Sequence, residues 1–279
     1  MKLYHSIIIL YLFIITNSIA AKKITAPDNS QKQIIIFDLT NIVIKENQIG
    51  FAKKIGYGTL ASYAITHWKN PGYRCLDMLH EMSNHEDHKP HIILTLQKRT
   101  LPRCLVELQE GKKTCAQARE EIAQGMQKLD EQKFFSSVKE KELMKDIMDL
   151  VLDPQTVTTM IEPVKSTTQL INRLKEAGHP IYCCANAPKE LYAASEKKFN
   201  HILQNFDGIV ISSHIKEIKP GEAILQHLME TYNLNPHNCI VIEDQEEAAA
   251  TAKKLGMQAI VCDKPSHLPN KLKKCGVRI

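Results

Sequence analysis

The sequence predicts an α/β fold in which a doubly wound parallel sheet carries an inserted α-helical domain. Short apolar runs alternate with longer helical patterns through the second half of the chain. Residues 50–161, by contrast, contain helical patterns alone. The length of 279 residues exceeds that of most single domains and leaves room for such an insertion.

Five short apolar runs predict strands that are buried on both faces of the sheet. These runs lie at residues 33–37, 180–184, 208–212, 239–242 and 258–262. Apolar residues at helical spacing follow at residues 167–178, 188–206, 220–234 and 245–256. The alternation predicts right-handed crossovers and helices on both faces of a parallel sheet. Ligands of such sheets bind beyond the carboxyl ends of the strands.

The insertion after the first strand contains five segments with helical spacing. They are residues 50–68, 72–82, 101–111, 114–129 and 138–152. Thr114 and Gln117 have the spacing of a capping box. Residues 41–49, with polar Glu46 and Asn47 between apolar runs, predict a small hairpin that leads into the insertion. We therefore assign 33–49 and 162–279 to the α/β core and 50–161 to the helical insertion.

The first residues have the order of a secretory signal peptide: a positive Lys2, the apolar run IIILYLFII, and small residues. We expect a signal peptide over 1–21 with cleavage near Ala20, followed by a polar linker at 22–32. The unbroken apolar run is shorter than the roughly 20 residues of a spanning helix. An uncleaved membrane anchor is the alternative, and both interpretations place the mature protein in an exported, periplasmic or secreted location.

The charge distribution limits the classes of binding partner. The net charge of +5 is spread thinly, without a basic stripe and interleaved aromatics, so we expect no nucleic-acid partner. The basic segment 270–279 is typical of a solvated surface. The oligomeric state is left open by the sequence.

Of the eight cysteines, three lie in predicted strands, where Cys acts as a small apolar residue: Cys183, Cys184 and Cys239. Export would permit disulfides among the other five, and the local options are Cys262 with Cys275 and Cys104 with Cys115. No C-x-x-C spacing indicates a metal site.

Polar and charged residues follow the predicted strands, and the carboxyl ends of these strands form one edge of the sheet. Asp38, Asn186, Lys219, Glu243 and Asp244 all fall at such positions. Carboxylates that converge there repel one another unless a cation lies between them, and oxygen ligands suit Mg²⁺. A lysine beside them would pair with a second negative group, for which a phosphoryl group is suitable.

The order Asp38, Asn186, Lys219-Pro220 and Glu243-Asp244 resembles the four motifs of the haloacid dehalogenase-like (HAD) hydrolase superfamily. The resemblance covers residues 33–49 and 162–263, and the helical insertion falls where the family carries a helical cap of the C1 type. It implies a Rossmann-like HAD core and, most simply, a Mg²⁺-dependent phosphatase acting on a small phosphomonoester.

The resemblance also implies roles for individual residues. Asp38 would be the nucleophile that forms an aspartyl-phosphate, and Lys219 would neutralise the nucleophile and a phosphate oxygen. Mg²⁺ would be held by Asp38, the carbonyl of Thr40, and Asp244 with or without Glu243.

The same resemblance places the phosphate beside the backbone amides that follow Asp38, namely those of Thr40 and Asn41. The amides of Ala185 and Asn186 would bind it from the next strand, and the helical cap would select the substrate.

The chain departs from the family pattern at three positions. Thr40 stands where phosphatases usually have a second Asp that acts as general acid and base, Ala185 replaces a Ser or Thr, and Ala248 replaces an Asn. These departures favour a second hypothesis, a catalytically impaired HAD-fold binding or interaction protein. A third hypothesis, a dehalogenase-type hydrolase using Asp38, would not require the Glu243-Asp244 pair.

Simpler interpretations exist for each residue taken alone. Asp38 could cap a turn, Lys219 could be a solvated lysine at the start of a helix, and Glu243 with Asp244 could favour the N-terminus of the following helix. We expect Trp68 and Tyr63 to be core residues rather than substrate contacts. Four histidines of the insertion have no ligand spacing and are typical of an exposed loop: His80, His85, His88 and His91.

Overall fold

The structure is a computed structural model that describes residues 32–67, 71–83, 95–96 and 99–279. Several positions discussed above lie outside the described residues: the predicted signal peptide (1–21), linker residues 22–31, Trp68, His85, His88 and His91. Within the described part of the chain, no helix is both long enough and apolar enough to cross a membrane.

The described strands are numbered in chain order. They are β1 (Ile34–Phe37), β2 (Ile44–Glu46), β3 (Thr95–Leu96), β4 (Arg99–Thr100), β5 (Ile161–Pro163), β6 (Ile181–Ala185), β7 (Gly208–Ile211), β8 (Cys239–Glu243) and β9 (Gln258–Val261). β2 pairs with β5, and β3 pairs with β4, in two-stranded sheets. The other five strands form the central sheet.

The described α-helices are numbered in the same way. They are α1 (Gln48–Ile55), α2 (Tyr57–His67), α3 (Pro71–Ser83), α4 (Arg103–Gln109), α5 (Cys115–Glu131), α6 (Val138–Val151), α7 (Pro154–Thr159), α8 (Lys165–Glu176), α9 (Lys189–Leu203), α10 (Ser212–Ile215), α11 (Glu222–Tyr232), α12 (Glu246–Lys254) and α13 (Leu268–Lys274).

The described residues divide into two compact units. The helical unit comprises Glu46–Glu162 and Ala187–Ser195. The sheet unit comprises residues 32–45, Pro163–Asn186 and Glu196–Ile279, and it contains the central sheet. The functional residues predicted above all lie in the sheet unit.

The central sheet has the order β7-β6-β1-β8-β9, and its four strand pairs are parallel. The chain builds outward from β1 through β6 to β7 and then returns to the other side of β1 to form β8 and β9. This order is that of a doubly wound sheet, and it confirms the predicted α/β fold class. The direction of winding reverses between β1 and β8, where such sheets bind their ligands.

Alternating side chains cover the two faces of the central sheet. Ile36, Cys184 and Val241 belong to a buried cluster that includes Leu225 of α11 and Ala252 of α12. Phe37 points to the opposite face by the alternation, and its ring meets the edge of Phe206 at 5.9 Å between centroids. Helices α11 and α12 therefore cover the first face, Phe206 in the segment after α9 covers part of the second, and the polar strand ends remain available for chemistry.

The predicted hairpin at 41–49 is wrong. β2 pairs with β5 instead of with a neighbouring segment, and Ile44 also forms an isolated parallel bridge with Thr40. Asn47 is the reason, because its side chain accepts a hydrogen bond from the Gly50 amide and caps the start of α1. The second apolar run of the supposed hairpin is thereby part of a helix.

The predicted helix at 50–68 is divided into α1 and α2. Gly56 separates them with a φ of 97°, which glycine adopts readily because it has no Cβ atom. Other segments were missed because they contain too few residues to show a period: the helices α7, α10 and α13, and the strands β3, β4 and β5, of which β3 and β4 lie inside the insertion predicted to be wholly helical. His80, expected in a loop, lies in the last turn of α3.

Two local expectations have clear outcomes. Thr114 and Gln117 form the predicted capping box at the start of α5. The eight cysteines are all free thiols, so neither local disulfide option is formed in this structure. Seven of these thiols are buried, in keeping with the behaviour of Cys as a small apolar residue.

A buried carboxylate holds the helices of the helical unit together. Glu140 on α6 accepts hydrogen bonds from the Tyr63 hydroxyl, from Arg74 Nε at 2.9 Å, and from the amide and hydroxyl of Ser136. Tyr63 is therefore a core residue, as expected, since it is buried. Burial raises the pKa of Glu140, but the bonds from Ser136 and the charge of Arg74 outweigh that effect and lower the pKa to about 2.

We expect Glu140→Gln to lower the free energy of unfolding by about 3 kcal/mol, because it removes the buried counter-charge of Arg74. The folded-state pKa lies below the ordinary carboxyl value of 4.5. The stabilisation is therefore complete above about pH 4.5 and is lost as the pH falls toward 2. Urea unfolding of both proteins at pH 7 and pH 3 measures the difference, which we expect to be smaller at pH 3.

Asp149→Asn is the matched control, because Asp149 lies on the same helix in an exposed pair with Lys145. Exposed pairs of this kind contribute little, so we expect no measurable change. Equal effects of the two substitutions would show that the buried network does not stabilise the unit. An undiminished effect of Glu140→Gln at pH 3 would show that the stabilisation does not come from the charge of Glu140.

Candidate active site

The site begins with Asp38, the residue that follows β1. Phe37 is in register with Cys183 of β6 and with Ile242 of β8, so Asp38 leaves the sheet between these two strands. Its backbone amide donates to the Ile242 carbonyl at 2.9 Å and extends the pairing by one residue. The sheet thereby fixes Asp38 next to Glu243, the last residue of β8.

Lys219 connects these two carboxylates. Its ammonium group donates to Asp38 Oδ1 and to Glu243 Oε1, at 2.7 Å in both cases. All three residues are buried. The sequence placed Lys219 at this edge from its position after β7, and the structure brings it to Asp38 as expected.

Asn186 fixes the backbone of Lys219. The Lys219 amide donates to Asn186 Oδ1, and Asn186 Nδ2 donates to the Lys219 carbonyl, both at 2.8 Å. The two bonds hold the peptide unit on each side of the lysine Cα atom. Both ends of the Asn186 side-chain amide are therefore engaged by protein atoms.

Asp244 completes the cluster from the position after β8. Its Oδ2 accepts a hydrogen bond from Asn41 Nδ2 at 2.8 Å. Asn41 lies in the turn after β1 with a φ of 60°, and its backbone amide donates to the Ile44 carbonyl at 2.7 Å. One turn thus supplies both Asp38 and the side chain that holds Asp244.

Carboxylate oxygens of Asp38, Glu243 and Asp244 lie within 4.8 Å of one another. Three carboxylates at this separation around a single ammonium group carry an excess of negative charge. Burial raises the pKa of Glu243, and the nearby Asp38 raises it further, although Lys219 opposes both effects. Burial and Asp38 likewise raise the pKa of Asp244.

The charge of Lys219 responds in the opposite sense. Burial lowers the pKa of an ammonium group, but Asp38 and Glu243 outweigh it and hold the pKa of Lys219 well above its ordinary value. Lys219 therefore stays charged, and the cluster still lacks positive charge. Grouped oxygen ligands that lack positive charge are suited to a divalent cation, and Mg²⁺ takes such a donor set.

The three positions that depart from the family pattern are also placed by the structure. Thr40 is partly exposed in the turn between Asp38 and Asn41. Ala185 is the buried last residue of β6, and Ala248 is buried in α12. None of these side chains can donate or accept a proton as a carboxylate does.

Two features of the site were missed by sequence reasoning. The sequence assigned the backbone amides of Asn41 and Asn186 to phosphate, but the Asn41 amide donates to the Ile44 carbonyl. No role was predicted for the two side chains, which hold Asp244 and Lys219, respectively. An asparagine in the turn that follows a strand, such as Asn41, indicates a left-handed backbone conformation. Its distant partner has no sequence signal.

A sequence model of one protein family, described as haloacid dehalogenase-like hydrolase, matches residues 91–262. The match covers more than half of the chain and includes Lys219, Glu243 and Asp244, while Asp38 lies ahead of it. No protein with a curated function matches the sequence.

Solved structures of this family share the fold. One is a HAD-family enzyme from Bacteroides thetaiotaomicron, solved as an aspartate-to-alanine mutant in complex with magnesium and inorganic phosphate. It is 16% identical in sequence, has a TM-score of 0.52, and the match covers 85% of this chain and 98% of that one. A predicted HAD-like hydrolase from Porphyromonas gingivalis is 14% identical with a TM-score of 0.51, over 88% and 99%. A dehalogenase is 13% identical with a TM-score of 0.51, over 84% and 86%.

At these identities the likeness concerns the fold, which is a parallel sheet with a helical insertion. The family match adds a sequence relationship over most of the sheet unit and part of the helical unit. Together with the strand-end residues of the sheet, these findings confirm the resemblance inferred from the motifs. The chain therefore belongs to the haloacid dehalogenase-like hydrolase superfamily.

Proposed function

We propose that the chain is a Mg²⁺-dependent phosphatase that cleaves a small phosphomonoester through an aspartyl-phosphate at Asp38. The observation that supports this proposal best is the convergence of Asp38, Lys219, Glu243 and Asp244 at the carboxyl edge of the sheet. A nucleophile, a buried ammonium group and a cation site in one place are the parts that phosphoryl transfer requires.

Asp38 is the nucleophile in this mechanism. One of its carboxylate oxygens forms a bond to phosphorus while the bond from phosphorus to the ester oxygen breaks, and the departing oxygen keeps the electron pair. Lys219, held at 2.7 Å from Asp38, orients the carboxylate and offers positive charge to the phosphoryl oxygens. The buried position of both residues strengthens these interactions.

Asp38, Asp244, Glu243 and the carbonyl of Thr40 would hold Mg²⁺. When bound, the ion supplies positive charge that offsets the carboxylates and the phosphoryl group. The backbone amides of Thr40, Ala185 and Asn186 remain our proposal for the phosphate oxygens, whereas that of Asn41 already donates to the Ile44 carbonyl. A structure with this fold that holds magnesium and inorganic phosphate is consistent with that pairing of ligands.

The second step is hydrolysis of the aspartyl-phosphate. A water oxygen attacks phosphorus, the bond to the Asp38 oxygen breaks, inorganic phosphate leaves, and the carboxylate is restored. In both steps a proton must move, first to the departing ester oxygen and then away from the attacking water. Thr40 cannot exchange these protons as an aspartate would, so solvent carries them.

The main alternative is a HAD-fold binding or interaction protein with impaired catalysis. Thr40, Ala185 and Ala248 favour it, because each lacks a group that phosphatases of the family use. A dehalogenase-type hydrolase is a further alternative. The grouping of Glu243 and Asp244 with Asp38 counts against it, since attack on carbon needs no cation.

We also propose that the mature protein acts outside the cytoplasm, in the periplasm or after secretion. The order of charged, apolar and small residues at 1–21 supports this location. The cleavage site near Ala20 and the alternative of an uncleaved anchor can be distinguished by N-terminal sequencing of the exported protein.

The first test measures hydrolysis of p-nitrophenyl phosphate and a panel of sugar phosphates by purified mature protein. We expect turnover that requires Mg²⁺, is abolished by a chelator, and falls to background in Asp38→Asn, because the amide cannot attack phosphorus. Asp149→Asn, an exposed substitution of the same kind on α6, serves as the control and should be unaffected.

Turnover at the same rate in wild type and Asp38→Asn would contradict the mechanism. Background rates for every substrate, in a protein that still binds Mg²⁺, would favour the non-catalytic alternative. Turnover of 2-haloacids without a metal ion would favour the dehalogenase type.

A second test addresses the missing proton donor. Without a general acid, the rate should depend steeply on the stability of the departing oxygen anion, so aryl phosphates should react much faster than alkyl phosphates. We expect Thr40→Asp to raise kcat/KM for alkyl phosphates by about 10²-fold, at the lower end of what general acid catalysis contributes. The gain for p-nitrophenyl phosphate, whose leaving group needs no proton, should be smaller.

Thr40→Asn is the matched control, because it has the size of the aspartate but no ionisable group. An equal gain for alkyl and aryl phosphates, or an equal gain in Thr40→Asn, would show that Thr40 limits the rate for a reason other than proton transfer.

A further inference from the structure

Asn41 has a backbone conformation that most residues avoid. Its φ of 60° lies in the left-handed region, where glycine is unstrained and asparagine is tolerated better than other residues. Glycine would therefore suit the turn after β1 at least as well on backbone grounds. The presence of a side chain here needs a reason other than the turn itself.

The Asn41 side chain makes a specific long-range contact. Nδ2 donates to Asp244 Oδ2 at 2.8 Å, across 203 positions of the sequence. Among the residues that the structure describes, Asn41 alone donates a side-chain hydrogen bond to the Asp244 carboxylate. Lys219, the ammonium group of the cluster, makes its hydrogen bonds to Asp38 and Glu243 instead.

We infer that Asn41 is a positioning residue, which holds the Asp244 carboxylate in the orientation that presents it with Asp38 and Glu243 to a divalent cation. This inference rests on the cation site of the proposed function. It gives the Asn41 side chain a role toward a carboxylate, and the Asn41 backbone amide, which donates to the Ile44 carbonyl, is not left for the phosphate contact that the sequence predicted.

The chemistry of the amide suits this role. A neutral donor fixes one oxygen of Asp244 and leaves the charge of the carboxylate available to a cation. A second lysine at the same place would offset that charge and compete with the cation. Partners that orient a metal ligand in this way typically contribute about 10–100-fold to metal affinity.

The test is Asn41→Gly, which removes the amide while keeping the left-handed turn unstrained. Mn²⁺ is the probe, because electron paramagnetic resonance measures its free and bound fractions without any turnover. We expect the wild type to bind Mn²⁺ at one site, and Asn41→Gly to bind it about 10-fold more weakly or worse. Thermal unfolding without metal confirms that each variant is folded.

Asn233→Gly is the matched control. Asn233 also has a left-handed conformation, with φ 51°, but it caps the C-terminus of α11 and is exposed. The chemical change is the same at both positions, and both residues have a φ in the left-handed region. We expect Asn233→Gly to leave Mn²⁺ affinity unchanged.

A double-mutant cycle distinguishes positioning from a general effect on the fold. In an Asp244→Asn background the carboxylate that Asn41 orients is gone, so Asn41→Gly should cause no further loss of Mn²⁺ affinity. A full additional loss in that background, or equal Mn²⁺ affinity in Asn41→Gly and the wild type, would overturn the inference.

The outcomes also separate this inference from the proposed function. Weaker Mn²⁺ binding in Asn41→Gly, in a protein without phosphatase turnover, would support the positioning role and contradict the proposed function. Turnover that requires Asp38, with Mn²⁺ affinity unchanged in Asn41→Gly, would do the reverse. Absence of Mn²⁺ binding by the wild type would overturn both the inference and the proposed metal dependence.

Discussion

The contact of one buried ammonium group with two buried carboxylates is the constraint on which the active edge of the sheet depends. Lys219 donates to Asp38 and to Glu243, which adjacent parallel strands bring side by side. Neither carboxylate could be buried at low cost without it, because an unpaired buried charge is strongly destabilising. Asn186 accepts a hydrogen bond from the Lys219 amide and donates one to the Lys219 carbonyl, which fixes the backbone from which the ammonium group extends. The arrangement thus links the ends of β1, β6 and β8 to the segment after β7.

The same contact also explains why the site is suited to a cation. One lysine offsets only part of the charge of three carboxylates, and burial raises the pKa values of Glu243 and Asp244. The third carboxylate, that of Asp244, is held by the neutral amide of Asn41. The protein therefore fixes the geometry of the oxygen atoms while leaving their charge unbalanced. A divalent cation would restore that balance, and the proposed phosphoryl substrate would require the cation for the same electrostatic reason.

The secondary structure and the membership of the site could be predicted from the sequence wherever a local pattern determines them. Apolar runs gave all five central strands, and because parallel strand ends share an edge, Asp38 and Glu243 could be expected to meet. The hairpin at 41–49 failed because the cap made by Asn47 converts an apparent strand into a helix. Gly56 divided a continuous helical pattern at a point where the apolar spacing is unbroken. The bond from Asn41 to Asp244 had no local pattern, since its partners are brought together only by the completed sheet.

The departures from the family pattern concern protons rather than charge. Lys219, Asp38 and the acidic pair supply what is needed to stabilise a transferring phosphoryl group, and these residues converge. Thr40 lies in the same turn but offers a hydroxyl, which does not exchange protons near neutral pH as a carboxylate does. Charge stabilisation lowers the barrier for any phosphoryl group, whereas proton donation matters only for leaving groups that are poor anions. In the proposed mechanism the site therefore retains the part of the chemistry that all phosphomonoesters share, and the identity of the leaving group would determine how much the missing carboxylate costs.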